Sequence, residues 1–285
     1  MSEAEDRLSG MPFTKMNGLG NDFVIVDLRA SKAKMTPAAA AIIGNRKTGI
    51  GCDQIITVED RGGLFMGIWN ADGGEVEACG NAARCVAWGL MEESGEDTVS
   101  FNTLGGELAA SRAGKLRVTV DMGPPKLRWK QIPLAEQMDD TRYIDIKLGP
   151  IDAPVLWGPA AVNMGNPHCI FFVENAEEQA LERFGPMIEH HPLFPEQANV
   201  SVAEVQSEHM IRLRVWERGV GITKACGTAA CAALVAAHRR RLTGRKATVT
   251  LDGGPLAIEW GKDDRVRMTG AVATEFDGVL PELDD

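Results

Sequence analysis

The chain has 285 residues, with 30 Lys+Arg against 40 Asp+Glu and a formal net charge of −10 at pH 7. At roughly 150 residues per domain this length allows about two domains with real cores. The acidic balance excludes a chain built to coat nucleic acid or an anionic membrane, and 44% hydrophobic with 25% charged residues excludes pervasive disorder.

In chain order, residues 1–10 are too polar to pack and read as a mobile tail. Short strands follow from Phe13. The first clear one is Asn21 to Leu28, reached through a Gly18-Leu19-Gly20 turn. Thr36-Pro37 has the chemistry of a helix start, a capping hydroxyl followed by a proline in the first turn, and the helix runs through alanines to Gly44. Gln54 to Glu59 and Leu64 to Asn70 flank Arg61-Gly62-Gly63 as a hairpin. Strands are predicted at Thr98 to Thr103, Glu107 to Ser111 and Leu116 to Met122, before Gly123-Pro124-Pro125 breaks the pattern near mid-chain. The second half predicts strands at Ala160 to Met164, His168 to Val173, Asn199 to Val205 and Ile211 to Trp216. A helix is predicted within Ala180 to His190, and strands near 247–252, 255–260 and 265–269 close the chain.

One segment occurs twice. Ala78-Cys79-Gly80-Asn81-Ala82-Ala83 in the first half matches Ala225-Cys226-Gly227-Thr228-Ala229-Ala230 in the second. Each copy follows a Gly-rich loop and opens an alanine-rich helix, the second running to Arg239-Arg240-Arg241, so a duplication is the natural reading. A cysteine at a helix start meets unpaired backbone N–H groups and the positive end of the helix dipole. Those groups are expected to lower the thiol's pKa and to hold a ligand carboxylate above it, while the glycine lets the ligand approach the backbone. Two such thiols, one from each half, suit inversion of a carbon centre: one removes a proton and the other delivers one to the opposite face.

The other four cysteines, Cys52, Cys85, Cys169 and Cys231, read as small buried fillers. The N-terminus MSEAEDRLSG has no apolar targeting core, the longest apolar stretch (Ala229 to Ala237) is too short to span a bilayer, and no CxxC pair occurs. Reduced thiols in the cytoplasm, no membrane span and no metal site are therefore expected. No lysine sits in a Schiff-base motif, and neither GxGxxG nor a Walker lysine is present, so no cofactor is expected either. His190, His191 and His209 lie among polar residues and read as solvated.

Five stretches carry a family resemblance: KMNGLGNDFVIVD from Lys15, GIGCDQ from Gly49, NADGGEVEACGNAARC from Asn70, MGNPHC from Met164 and ERGVGITKACGTAACAA from Glu217. In this order the chain resembles the diaminopimelate epimerases, isomerases of amino-acid (lysine and peptidoglycan precursor) biosynthesis that use no cofactor and interconvert the LL and meso forms of 2,6-diaminopimelate. The resemblance implies an α/β fold of the α+β type. Two similar domains would be related by a pseudo-twofold, each a mostly antiparallel sheet curled around a central helix, with a cleft between them. The domains would span 11–126 and 127–270, with a last strand in 271–285 returning to the first. It makes Cys79 and Cys226 the catalytic pair, and His168 and Glu217 the groups that tune them. It also makes Asn21, Gln54, Asn70, Gly80, Asn81, Asn166, Asn199, Glu217, Arg218, Gly227 and Thr228 the substrate-binding set, and it implies a homodimer. Asn amides can both donate and accept to a diamino dicarboxylate, Arg218 can fork onto its distal carboxylate, and Glu217 can take an ammonium. Ala82, Ala229 and Ile222 depart from the usual pattern, where two glycines and a glutamate are common.

Three other readings compete. A proline racemase or hydroxyproline epimerase of the same fold would carry a histidine after the first Cys-Gly, where this chain has Asn81. A thiol hydrolase pairing one cysteine with His168 leaves the second thiol unexplained, and a non-catalytic small-molecule binder leaves both unexplained.

Overall fold

The structure is a computed structural model that describes residues 7–77, 79–150, 152 and 154–283. Contacts divide the chain into two compact units, Met1–Val120 joined by Gly270–Asp285, and Asp121–Thr269. The break falls just before Gly123-Pro124-Pro125.

Unit 1 starts with β1 (Pro12–Gly18) and β2 (Asn21–Asp27), followed by α1 (Pro37–Gly44), β3 (Gln54–Asp60) and β4 (Leu64–Asn70). Then come α2 (Gly80–Ser94), β5 (Thr98–Thr103), β6 (Gly106–Arg112) and β7 (Arg117–Asp121). Thr36 caps α1 by accepting from the Ala39 amide at 3.1 Å, with Pro37 in the first turn. Gly95 ends α2 in the left-handed conformation that a side chain resists, at φ 73°, and its amide bonds Met91 O.

Unit 2 contains a two-stranded ribbon, β8 (Lys147–Leu148) with β9 (Leu156–Trp157), beside the main run of elements. That run is β10 (Ala160–Asn163), β11 (Pro167–Val173), α3 (Leu181–Glu189), β12 (Asn199–Ser207) and β13 (Met210–Glu217). It continues with β14 (Gly221–Thr223), α4 (Gly227–Arg239), β15 (Lys246–Leu251), β16 (Gly254–Trp260) and β17 (Val266–Ala271). The last strand, β18 (Ala273–Val279), returns to unit 1 and pairs antiparallel with β1.

The two units repeat one connection pattern. Strand order in unit 1 is β18-β1-β2-β3-β4-β5-β6-β7, and in unit 2 β10-β11-β12-β13-β15-β16-β17, with the short β14 also on β13. β1/β2 and β10/β11 are antiparallel, and β2/β3 and β11/β12 are parallel. β3/β4 and β12/β13 are antiparallel hairpins, and β5/β6 and β15/β16 likewise. α2 crosses between the parallel strands β4 and β5, as α4 does between β13 and β15. The duplication read from one motif therefore extends to the main strand order and helix crossovers of both units, with β8, β9, β14 and β18 as additions.

Alternation along the strands gives each sheet two apolar faces. In unit 1, Phe13, Val24, Val26 and Ile55 join Ala40 and Ile43 of α1. Met16, Ile25 and Val58 line the other side with Cys85, Val86 and Leu90 of α2. In unit 2, Cys169, Phe171, Val200 and Val202 pack with Leu181 and Ile188 of α3. The helix α4 is buried along nearly its whole length, with Ala229, Ala230, Ala232, Ala233 and Ala237 all 0% exposed. Cys52, Cys85, Cys169 and Cys231 sit in these interiors as expected.

The expected N-terminal tail needs correcting. Residues 1–6 lie outside the described residues, but Leu8 is buried in the α1-side core with Leu280 and Leu283. The Gly10 amide bonds Leu280 O at 3.1 Å, and Ser9 Oγ accepts from the Leu283 amide at 2.9 Å. Partners 270 or more positions away along the chain order this segment, and local sequence carries no trace of them.

Gly44 ends α1 against the loop that follows β4. A Cβ there would lie 2.7 Å from Ala71 Cα, a backbone atom that cannot rotate aside. Gly44→Ala is expected to destabilise the protein by roughly 1–3 kcal/mol through overpacking, read as a lower urea midpoint at unchanged slope. An unchanged midpoint would show that this loop has slack.

Candidate active site

In both units the strand register sets polar side chains at one end of the sheet, beside the helix that opens with cysteine. Phe23 pairs with Gln54, and Gln54 with Asn70, so these residues share the α2 face. In unit 2 His168 pairs with Asn199 and Trp216 with Val200, which puts Asn199 and Glu217 on the α4 face. Asn21 and Asn166 each stand two residues before Phe23 and His168. The repeat thus matches Asn21 with Asn166, Gln54 with Asn199, Asn70 with Glu217, and Cys79 with Cys226.

Both cysteines are helix N-caps in the same extended conformation, Cys79 at φ −145° and ψ 108°, Cys226 at φ −127° and ψ 108°. Their carbonyls accept the first intrahelical bonds, from Ala83 at 2.9 Å and Ala230 at 3.1 Å. Gly80 and Gly227 are therefore the first helical residues, as expected. Cys79 is half-buried and Cys226 buried.

In unit 1, Asn81 ties the helix start to the strand: its Nδ2 donates to Asn21 Oδ1 at 2.6 Å, and Asn21 Nδ2 donates to Asp53 Oδ2 at 3.2 Å. Gln54 Nε2 donates to Asn70 Oδ1 at 3.0 Å. Behind them Asp22 takes Lys15 Nζ at 2.8 Å and Arg46 at 2.7 Å, and Arg46 also holds Asp53 at 2.7 Å. Burial pushes the Asp22 carboxyl up, but Arg46 and Lys15 outweigh it and hold it far below the usual carboxylate range. This charge network anchors the β2 start, and only Asn21 was legible in the sequence.

In unit 2, His168 is fully buried, with Nε2 2.8 Å from Asn166 Oδ1 and Nδ1 without a hydrogen-bond partner. Burial, reinforced by Arg218, pushes the imidazole down to about 3, so it is neutral across the physiological range. With the amide oxygen accepting, the proton is on Nε2. Asn199 spans two backbones, donating to Pro167 O at 3.0 Å and accepting from the Arg218 amide at 3.1 Å. The Arg218 guanidinium bonds Glu196 O at 2.8 Å and is exposed, so its outer edge is open to a ligand. Thr228 Oγ1 lies 3.5 Å from Cys226 Sγ, and Glu217 accepts from Thr223.

Cys226 corrects the expectation that a helix start lowers both thiols. Burial, then the charge of Glu217, push it well above the ordinary thiol value, and the Thr228 hydroxyl and Ala229 amide only partly oppose them. Glu217 is itself raised by burial, against its bonds from Thr223 and Cys226. Thiol and carboxyl share one desolvated pocket, where two negative charges are costly. Cys226 therefore rests as the neutral thiol.

Glu189 at the end of α3 escaped the sequence reading, where it was one more polar residue before His190. It is 4% exposed, and its carboxylate accepts from Trp216 Nε1 and from the Gly219 amide, both at 2.7 Å. That pair of bonds clamps the Glu217-Arg218-Gly219 turn. His190 and His209 are exposed as expected, whereas His191 is half-buried and accepts from the Leu193 amide. No group of three or more metal-ligating side chains occurs among the described residues.

With this geometry in view, comparison with known proteins is decisive. The model of the diaminopimelate epimerase family matches residues 13–128 and 160–274. The chain belongs to the diaminopimelate epimerase family. A diaminopimelate epimerase from Phenylobacterium zucineum is 54% identical over 274 residues, covering 95% of this chain and 98% of that one. Another from Caulobacter vibrioides is 50% identical over 282 residues, at 95% and 98% coverage. Among solved structures, a hydroxyproline epimerase from Agrobacterium vitis shares the fold with a TM-score of 0.65 at 14% identity, covering 96% of this chain and 93% of that one. A likeness at that identity concerns the fold alone. The family shares the α/β, two-repeat architecture read from the sequence.

The buried His168 makes a pH prediction. Its folded pKa lies below the unfolded value, so the unfolded chain takes up a proton that the folded one refuses. Stability is expected to fall as pH drops through 6.5, by roughly 2 kcal/mol at pH 5 from this group. Urea titrations at pH 8 and pH 5 measure it, and His168→Gln is expected to remove that part of the difference. A wild-type difference that persists undiminished in the variant would contradict the assignment.

Proposed function

We propose that the protein is an isomerase that interconverts LL-2,6-diaminopimelate and meso-diaminopimelate without a cofactor, with Cys79 and Cys226 as acid and base. The observation that carries this reading is the repetition of one cysteine, in one N-cap conformation, at the start of the matching helix in each unit. The curated relatives bear the name of this activity along nearly the full chain. In each direction one thiolate takes the α-proton of the substrate, and the other thiol gives its own proton to the opposite face of the same carbon. No net proton or electron is consumed. The amides opening α2 and α4, at Gly80-Asn81 and Gly227-Thr228, suit the α-carboxylate, whose charge grows as the proton leaves. Asn21, Gln54, Asn70, Asn166 and Asn199 supply donors and acceptors for the ammonium groups and distal carboxylate, with Glu217 toward an ammonium and Arg218 toward a carboxylate. The neutral His168 and the carboxyl of Glu217 tune the thiols. Six thiols suit a reducing compartment, and we assign the enzyme to the cytoplasm.

Incubating the protein with LL-diaminopimelate in deuterated water is expected to yield meso product carrying one α-deuterium. Cys79→Ser and Cys226→Ser are each expected to lower turnover by about 10²- to 10⁴-fold or more. Either variant turning over within tenfold of wild type would remove the two-base reading.

A homodimer joined along β18 is part of the same proposal. Among the described residues this seven-residue strand ends the unit 1 strand order and pairs with β1 on one side alone, leaving backbone donors and acceptors on the other. Phe276 is 50% and Val279 66% exposed on it. Sedimentation is expected to give twice the chain mass for the wild type and the monomer mass for Phe276→Lys. A monomeric wild type would refute the assembly and leave the chemistry untouched.

A further inference from the structure

The proposed reaction leaves one buried charge in unit 1 without a task. Arg84 is 0% exposed and is the bulkiest of the fully buried side chains described. It lies on α2 just past the first turn from Cys79, and helical side chains lean back toward the N-terminus. Three atoms crowd the point where a Cβ on Gly18 would sit: Asn81 O at 3.1 Å, Arg84 Nη2 at 3.4 Å and Cys85 Sγ at 3.5 Å. The guanidinium is thus lodged under the first turn of α2, beside the carbonyl of the second residue after Cys79. A Cβ on Gly18 would press on Asn81 O and come into van der Waals contact with Arg84 Nη2.

The charge is felt at that end of the helix. Burial pushes the Cys85 thiol up to about 12 while Arg84 pulls it down, and Cys79 is near enough for its own charge to act on Cys85. Among the strand residues that meet this part of α2, Met16 lies with Cys85, Gly18 against Asn81 and Arg84, and Asn21 on Asn81, and none of the three carries a charge. Charged groups that face α2 from the sheet lie at its far end. There Asp27 of β2 holds Arg29, which reaches Glu93, and Arg112 of β6 holds Glu92. Asp22 is occupied by Lys15 and Arg46, and Glu75 and Glu77 on the approach to Cys79 are exposed.

Among the described residues unit 2 has no fully buried Lys or Arg. Matching the two helices from Cys79 and Cys226 sets Arg84 against Cys231, and matching the strands sets Asn70 against Glu217. One copy therefore combines a buried guanidinium with a neutral amide, and the other a buried carboxyl with no cation at the matched position. A cation buried near a helix N-terminus opposes both the dipole and desolvation, and an anion at the N-cap turns both into attraction.

We propose that Arg84 is a positioning residue that holds negative charge on the Cys79 sulfur, so that unit 1 supplies the thiolate and unit 2 the thiol in the resting enzyme. The proton lost by Cys79 goes to solvent. The inference rests on Cys79 being one of the two acid/base groups, and it is tested without turnover.

The test is the pH dependence of alkylation by iodoacetamide at Cys79, followed peptide by peptide by mass spectrometry in the full chain. Arg84→Met is expected to slow alkylation of Cys79 at pH 7 at least tenfold and to move its rise to higher pH. Arg84→Lys, which keeps the charge, is expected to stay within about threefold of wild type. Thermal unfolding of each variant checks that it folds. Superimposable profiles for wild type and a folded Arg84→Met would overturn the proposal. Should Arg84→Met not fold, the wild type decides alone: Cys79 is expected to reach its plateau at lower pH than glutathione in the same vessel, and a profile matching glutathione overturns the proposal. Cys79→Ser turnover tests the acid/base reading separately, so the two can fail independently.

Discussion

The geometry of both candidate sites depends on how closely an alanine-rich helix can lie on a sheet. Ala229, Ala230, Ala232 and Ala233 in unit 2, and Ala82 and Ala83 in unit 1, are entirely buried. A helix with larger groups at these positions would stand off from the strands. Close contact brings the N-cap down to the level of the strand ends, where the register has already gathered the amides. That is why Asn81 on a helix can reach Asn21 on a strand at 2.6 Å. Binding polarity and helix dipole are set by a packing constraint whose members are the least reactive residues present.

Much of this architecture was legible, and the reason differs from part to part. The hairpin around Arg61-Gly62-Gly63 and the Thr36-Pro37 helix start are local chemistry, and the structure places them within a residue or two of the reading. Cys79 and Cys226 stood out because a duplicated motif carries its own internal control. What escaped depends on partners remote in sequence. The buried state of Leu8 needs Leu280 and Leu283, and the clamp by Glu189 needs Trp216 and Gly219. The sign of the Cys226 shift was misjudged for a related reason. A helix terminus is visible in sequence, whereas the desolvation that overrides it comes from the surrounding fold.

Duplication explains the common frame, and divergence within it bears on the proposed chemistry. Where the units agree, at the cysteine N-caps, the backbone supplies the same amides and dipole. Where they differ, Asn70 against Glu217 and Arg84 against Cys231, the charged neighbours differ. On the proposed reading, inversion at a single carbon needs one thiolate and one thiol at the same time. Unequal neighbours allow one frame to hold both states at one pH.

The return of β18 to β1 also has a consequence for how the chain comes into being. Everything needed for unit 2 has left the ribosome by Thr269, while the strand order of unit 1 still lacks the strand that flanks β1, together with the contacts of Leu280 and Leu283. The half that begins first is thus completed after the second. During synthesis β1 presents a bare edge until β18 emerges after the whole of unit 2, which leaves that edge open to mispairing for longer than any other in unit 1.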